Sequence, residues 1–160
     1  FGAGFALAKL YDLSQTGQYA SEQTVSLAGP RGMIDRVRIL GPCREQTQVE
    51  ISETDARRLG LDPPVRDSGN LAGTPGIKIS RPAGELELKQ GVILALRHIH
   101  LDPATAAGLG VKNGDRVKVD TGGVRDLLFD NVLIRVDIET DEANAAGIDE
   151  NNNSGEIIVK

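Results

Sequence analysis

Ile99-His100-Leu101-Asp102-Pro103-Ala104-Thr105-Ala106-Ala107-Gly108-Leu109-Gly110-Val111 decides how the chain is read, because its plan occurs three times. The counterparts are Val49-Glu50-Ile51-Ser52-Glu53-Thr54-Asp55-Ala56-Arg57-Arg58-Leu59-Gly60-Leu61 and Asp137-Ile138-Glu139-Thr140-Asp141-Glu142-Ala143-Asn144-Ala145-Ala146-Gly147-Ile148. Each reads as a strand, a capping residue, a short helix and a stop glycine. Ser52 with Asp55 three residues on resembles a capping box. Asp102 before Pro103 is an N-cap followed by proline at the first helical position. Thr140 precedes two acidic residues that suit the positive end of a helix dipole. Gly60, Gly110 and Gly147 fit the left-handed turn that ends a helix. One Ala-rich helix looks much like another, but three ungapped copies of the whole plan point to internal repetition.

The strands repeat as well. Val25-Ser26-Leu27-Ala28-Gly29-Pro30-Arg31-Gly32 resembles Ile77-Lys78-Ile79-Ser80-Arg81-Pro82-Ala83-Gly84. In both, alternating residues reach a Pro-x-Gly turn, and a second strand is expected over residues 37–40 or 92–96. Residues 117–123 supply a further strand and turn. After the linker Asn151-Asn152-Asn153-Ser154-Gly155, a last strand is expected over 156–159. The expected fold is mainly β: two small β-barrel domains capped by short α-helices, internally repeated, covering 1–95 and 96–160.

Composition agrees with many turns and short strands. Of the 160 residues, 39% are hydrophobic but only 3% aromatic, and 19 are Gly, so Val, Ile and Leu must fill the core. A net charge of −5 argues against a nucleic-acid partner, which requires a strong positive field. It leaves room for a local basic pocket. The single Cys43 excludes an internal disulfide framework and a multi-Cys zinc ribbon. No apolar run is long enough for a membrane span and no leader pattern is present, so a soluble, cytoplasmic protein is expected. The chain opens at Phe1 without Met, and an upstream segment is expected.

His98 and His100 are the only histidines. Two residues apart on a strand, their side chains leave the same face. Two neutral imidazoles so placed can chelate a divalent ion such as zinc. The repeats put Glu50, His100 and Asp137 at one equivalent position, which sets carboxylates beside that reading. The plainer alternative is a solvated strand face, a surface Glu50 and a turn at Asp137. Arg31, Arg36, Arg38 and Arg44 fall in one stretch, with Arg97 beside the histidines. A guanidinium suits phosphate oxygens bidentately and keeps its charge at any working pH, although each arginine alone reads equally as a solubilising group. Cys43 is read as a small buried residue rather than a nucleophile, since no histidine adjoins it. Asp67-Ser68-Gly69-Asn70 is a loop able to offer polar groups to a ligand. A GxxxxGK[ST] phosphate loop is absent.

Several runs together resemble the PduL-type phosphotransacylases (phosphate propanoyltransferases): Leu13-Ser14-Gln15-Thr16-Gly17-Gln18-Tyr19, the stretch from Ile39 to Ser52, that from Asp67 to Gly76, Arg97-His98-Ile99-His100, and that from Thr140 to Gly147. They span nearly the whole chain in the family's order. The resemblance implies two β-barrels capped by short helices and two zinc ions. It implies that His98, His100 and Glu50 are metal ligands, that Arg44 orients phosphate, and that Arg38, Leu40 and Asn144 line the coenzyme A site. It further implies a homodimer and, for some similar proteins, packaging in a bacterial microcompartment. The family carries another histidine pair on an N-terminal strand, before the point where this chain starts. It also carries a histidine just before the Thr140–Asn144 run, where Asp137 stands as the replacement or a segment is missing. The implied reaction converts propionyl-CoA or acetyl-CoA and inorganic phosphate into acyl phosphate and coenzyme A. No Ser-His-Asp or Cys-His arrangement supports a covalent intermediate, so metal-assisted direct attack by phosphate is expected. The rival readings are a metal-dependent acyl-CoA hydrolase and a non-catalytic microcompartment-associated scaffold.

Overall fold

In the computed structural model, which describes residues 1, 4–13, 17–136 and 156–158 (the last three by backbone alone), apolar–polar alternation becomes strands at most expected places. In chain order the elements are β1 (Lys9–Asp12), β2 (Tyr19–Ala28), β3 (Met33–Gly41), β4 (Val49–Glu50), α1 (Glu53–Leu59), β5 (Val65–Arg66), β6 (Ile77–Arg81) and β7 (Gly84–Leu88). There follow β8 (Val92–Ala95), β9 (His98–Leu101), α2 (Pro103–Leu109), β10 (Arg116–Asp120), β11 (Leu128–Val136) and β12 (Glu156–Ile158). The chain divides into two compact units, Phe1–Tyr11 with Tyr19–Leu96, and Asp12–Gln18 with Arg97–Lys160.

In the first unit, β1-β2-β6-β7 form a sheet in that order, with β3 also paired to β2. A second sheet runs β4-β8-β5, both pairings parallel. Leu27, Val49, Leu59, Ile77 and Val92 make the core between these elements. Each such side chain, fully buried, contributes roughly 1.5–3 kcal/mol relative to exposure. The second unit is one sheet, β12-β10-β11-β9, with β9 parallel to β11. Ala106, Val111, Val117, Val132 and Ile134 fill its core.

The two described repeats fold as their sequences indicate. Ser52 Oγ accepts the Asp55 N–H at 3.0 Å and donates to the Asp55 carboxylate at 2.7 Å. Asp102 Oδ1 accepts the Ala104 and Thr105 N–H groups at 2.9 and 3.0 Å. Gly60 (φ 76°) and Gly110 (φ 69°) end the two helices in the left-handed region. The third repeat and the Asn-rich linker lie outside the described residues.

Mainly β architecture is therefore observed, but the sheets are open among the described residues, and barrel closure is not among the pairings formed. Two-residue β4 and β5 leave the ladder before they can extend it. A second expectation is corrected at the Pro82-x-Gly84 turn. The returning strand is β7, whose Leu88 faces Ile77 in antiparallel register, not residues 92–96. Gly84-Glu85-Leu86-Glu87-Leu88 alternates as a half-exposed strand should, whereas Val92-Ile93-Leu94 is a continuous apolar run. The latter becomes the central parallel strand β8.

Gly29 shows how tightly α1 is seated. A Cβ there would run into the carbonyl oxygen of Leu59, which accepts the Arg31 N–H at 3.0 Å and so has little freedom to retreat. Gly29→Ala is expected to destabilise the protein by roughly 1–3 kcal/mol, as overpacking does. An unchanged urea midpoint would show instead that α1 shifts without cost.

Candidate active site

Short strands that stop at a helix cap hold the candidate ligands. Gln48 and Glu50 are two residues apart where the chain enters and ends β4, so their side chains share a side. Gln48 Nε2 donates to Glu50 Oε1 and, at 2.9 Å, to Ser68 Oγ. Gln48 Oε1 accepts the Gly69 N–H at 2.7 Å. This use of both amide ends orients the side chain unambiguously. Arg44 Nη1 donates to the same Ser68 Oγ at 3.0 Å. The loop that presents Ser68 is itself tied down, with Asp67 Oδ1 accepting the Ser68 N–H at 3.1 Å and the Asp67 carbonyl accepting the Asn70 N–H at 3.0 Å. Arg44 and Glu50, assigned to different roles from sequence, thus belong to one chain of hydrogen bonds within the first unit.

Arg38 and Arg31 are engaged elsewhere in the first unit. Arg38 Nη1 donates to the backbone carbonyls of Ser21 and Glu22 at 2.9 and 3.1 Å. Arg31 lies against Gly60. Arg36 takes φ 60° where two residues of β3 oppose one of β2, a bulge that breaks the strict alternation with Arg38. Leu40, opposite Ala20 on the β2–β3 pair, is 52% exposed, an apolar side chain open to a ligand. Cys43 is exposed rather than buried, because the chain leaves β3 at Gly41 and runs into an open loop.

In the second unit, His98 is half-buried and His100 buried on β9, paired in register with Leu133 and Arg135 of β11. Their ring centroids are 4.9 Å apart, edge to face at 77°. The Arg97 guanidinium lies 5.7 Å from the centroid of the Phe129 ring. Zinc takes four donors, of which an imidazole pair is two. Within either unit, among the described residues, no group of three or more His, Cys, Asp or Glu side chains comes together to complete a metal site. Asp137 and Asn144 fall outside the described residues.

Residues 1–155 match the family model described as phosphate propanoyltransferase. The chain belongs to the phosphate propanoyltransferase family. A relative of that name from Thermotoga maritima is 52% identical over 167 aligned positions, covering 99% of this chain and 78% of the relative. Those from Shewanella putrefaciens and Salmonella typhimurium are 56% and 54% identical, over 86% and 91% of this chain and 69% and 74% of theirs. The family is one of acyltransferase enzymes. Among the described residues no helix is long and apolar enough to cross a membrane. Gln48 and Ser68, which join Arg44 to Glu50, were not singled out from sequence as site residues. The signals available were the period-two spacing of Gln48 and Glu50 and the polar Asp67–Asn70 loop.

The strand carrying both imidazoles is followed directly by Asp102, whose carboxyl is held below its ordinary pKa by hydrogen bonds from the Thr105 side chain and backbone and from the Ala104 N–H. A folded-state pKa below the unfolded one gives stability that is complete above the unfolded value and lost as pH falls through the folded value. Thermal melts should therefore show Asp102→Ala less stable than wild type at neutral pH, with the gap closing in strong acid. A gap of constant size across that range would remove the carboxylate from the cap.

Proposed function

We propose that the chain is a phosphotransacylase converting a short-chain acyl-CoA, propionyl-CoA or acetyl-CoA, and inorganic phosphate into acyl phosphate and coenzyme A. Beside family membership, one observation carries the reading: the Arg44 guanidinium is held at the Ser68 hydroxyl by a chain of hydrogen bonds that reaches Glu50. Phosphate is a poor nucleophile at a thioester until its charge is steadied and its approach fixed. Arg44 does both, its planar fork taking two phosphate oxygens and its charge constant with pH. A phosphate oxygen then attacks the thioester carbonyl carbon, the C–O bond forms, the C–S bond breaks, and the electron pair leaves on the coenzyme A sulfur. Holding both substrates in one ternary complex supplies the proximity contribution.

Arg38, Leu40 and Asn144 are assigned to coenzyme A, Leu40 offering an exposed apolar contact and Arg38 a charge fixed in place by two carbonyls. His98, His100 and Glu50 are assigned as the residues that would hold zinc, two ions in all with ligands beyond the described residues. When bound, zinc would supply Lewis-acid stabilisation of developing negative oxygen charge. The same reading takes 1–95 and 96–160 as two barrel domains and the working unit as a cytoplasmic homodimer, with packaging in a bacterial microcompartment. The support for these is the family resemblance of the sequence runs.

Thiol release from acetyl- and propionyl-CoA is expected to depend on added phosphate; equal release without it would assign a hydrolase. Arg44→Ala should lower phosphate-dependent turnover by roughly a hundredfold while metal content is unchanged, the scale of a lost positioning contact. Full activity in that variant would end the role given to Arg44. His98→Ala should reduce both bound zinc and rate, and a normal zinc content by elemental analysis would strike it from the ligands.

A further inference from the structure

A hydroxyl has two lone pairs and one hydrogen, and at Ser68 both lone pairs are used. Its Oγ accepts from Arg44 Nη1 at 3.0 Å and from Gln48 Nε2 at 2.9 Å. Gln48 gives its other hydrogen to Glu50, so that carboxylate is engaged by the amide rather than by the serine. Among the described residues no acceptor takes the Ser68 O–H. Two donors, one of them a cation, draw electron density from the oxygen and make that hydrogen a stronger donor. The hydroxyl is also fixed in place. Its own N–H is on Asp67 Oδ1, and the next N–H, of Gly69, is on Gln48 Oε1.

We infer that Ser68 is a phosphate-binding residue, whose hydroxyl donates to an oxygen of the same phosphate that Arg44 holds. An acceptor-rich anion is the ligand class this arrangement selects. A guanidinium and a hydroxyl that must donate lie within one hydrogen-bond length, so one tetrahedral anion can take both. Gln48 thereby acquires a role without touching substrate: it takes one lone pair of Ser68 and leaves the hydroxyl only its donor function. The proposal rests on Arg44 binding phosphate. A hydrogen bond to a charged group is commonly worth about 1.5–3 kcal/mol, so its loss should weaken phosphate about ten- to a hundredfold.

The test titrates inorganic phosphate in the thiol-release assay with wild type, Ser68→Ala, Ser68→Thr and Arg44→Ala, using the full chain with its metals. Ser68→Ala should raise the KM for phosphate by that factor with the KM for acyl-CoA changed less than about twofold, and Ser68→Thr, which keeps the hydroxyl, should recover most of the loss. Calorimetric titration of phosphate into the same variants reads binding even where turnover is too slow to measure. A phosphate KM and binding constant unchanged in Ser68→Ala, while Arg44→Ala weakens both, would overturn the role of Ser68 alone. Unchanged values in Arg44→Ala as well would overturn the underlying phosphate assignment. If Ser68→Ala lowers turnover through kcat with equal shifts in both KM values, its role is structural and the proposal fails.

Discussion

One oxygen at the head of each short helix governs where the candidate ligands stand. Helices of seven residues are too short to persist by intrinsic propensity. They persist here because Ser52 and Asp102 take their first free N–H groups and because Ala56, Leu59 and Ala106 are buried beneath them. The helix begins directly after the cap residue, so the preceding strand must end before it, as β4 does at Glu50 and β9 at Leu101. Glu50 and His100 each precede their cap by two residues. A cap is thus a positional constraint on the side chain two places earlier, and the repeat copies that constraint from one unit to the other.

What the strands do with that shared position differs between the units. Glu50 is exposed at the end of a two-residue strand and takes its orientation from Gln48, a polar side chain with every donor and acceptor in use. His100 is buried, on a strand whose parallel pairing with β11 places it opposite Arg135. A carboxylate steered by one amide can adjust to a ligand with small loss of packing. A buried imidazole is held by the close packing around it, which a change of rotamer must displace. Preorganisation therefore comes from hydrogen bonding at one position and from burial at the other.

Much of this was legible in the chain alone. The capped segments at Ser52 and Asp102, their stop glycines Gly60 and Gly110, the strand through residues 25–28 and the placing of His98 and His100 on one strand face follow from local rules of capping and alternation, which act within a few residues. The family resemblance followed from the order of several such runs. Local rules failed where two segments compete for one partner. At Pro82-x-Gly84 the adjacent alternating strand won over the more apolar Val92 run, because β8 gained two parallel neighbours in the interior instead. Cys43 was misjudged for a similar reason, since residue type says little about a loop's depth.

The sequence by itself determined the capped helices, the predominance of strands and the membership of the family, because each rests on contacts between near neighbours or on the order of motifs. Only the tertiary structure decided that Arg44, Gln48, Glu50 and Ser68 share one run of hydrogen bonds. Ser68 and Arg44 are 24 positions apart, and the parallel docking of β4 and β5 on β8 brings together the segment before β4, which carries Arg44, and the segment after β5, which carries Ser68. Such proximity is a property of strand pairing across long loops, and no local spacing encodes it.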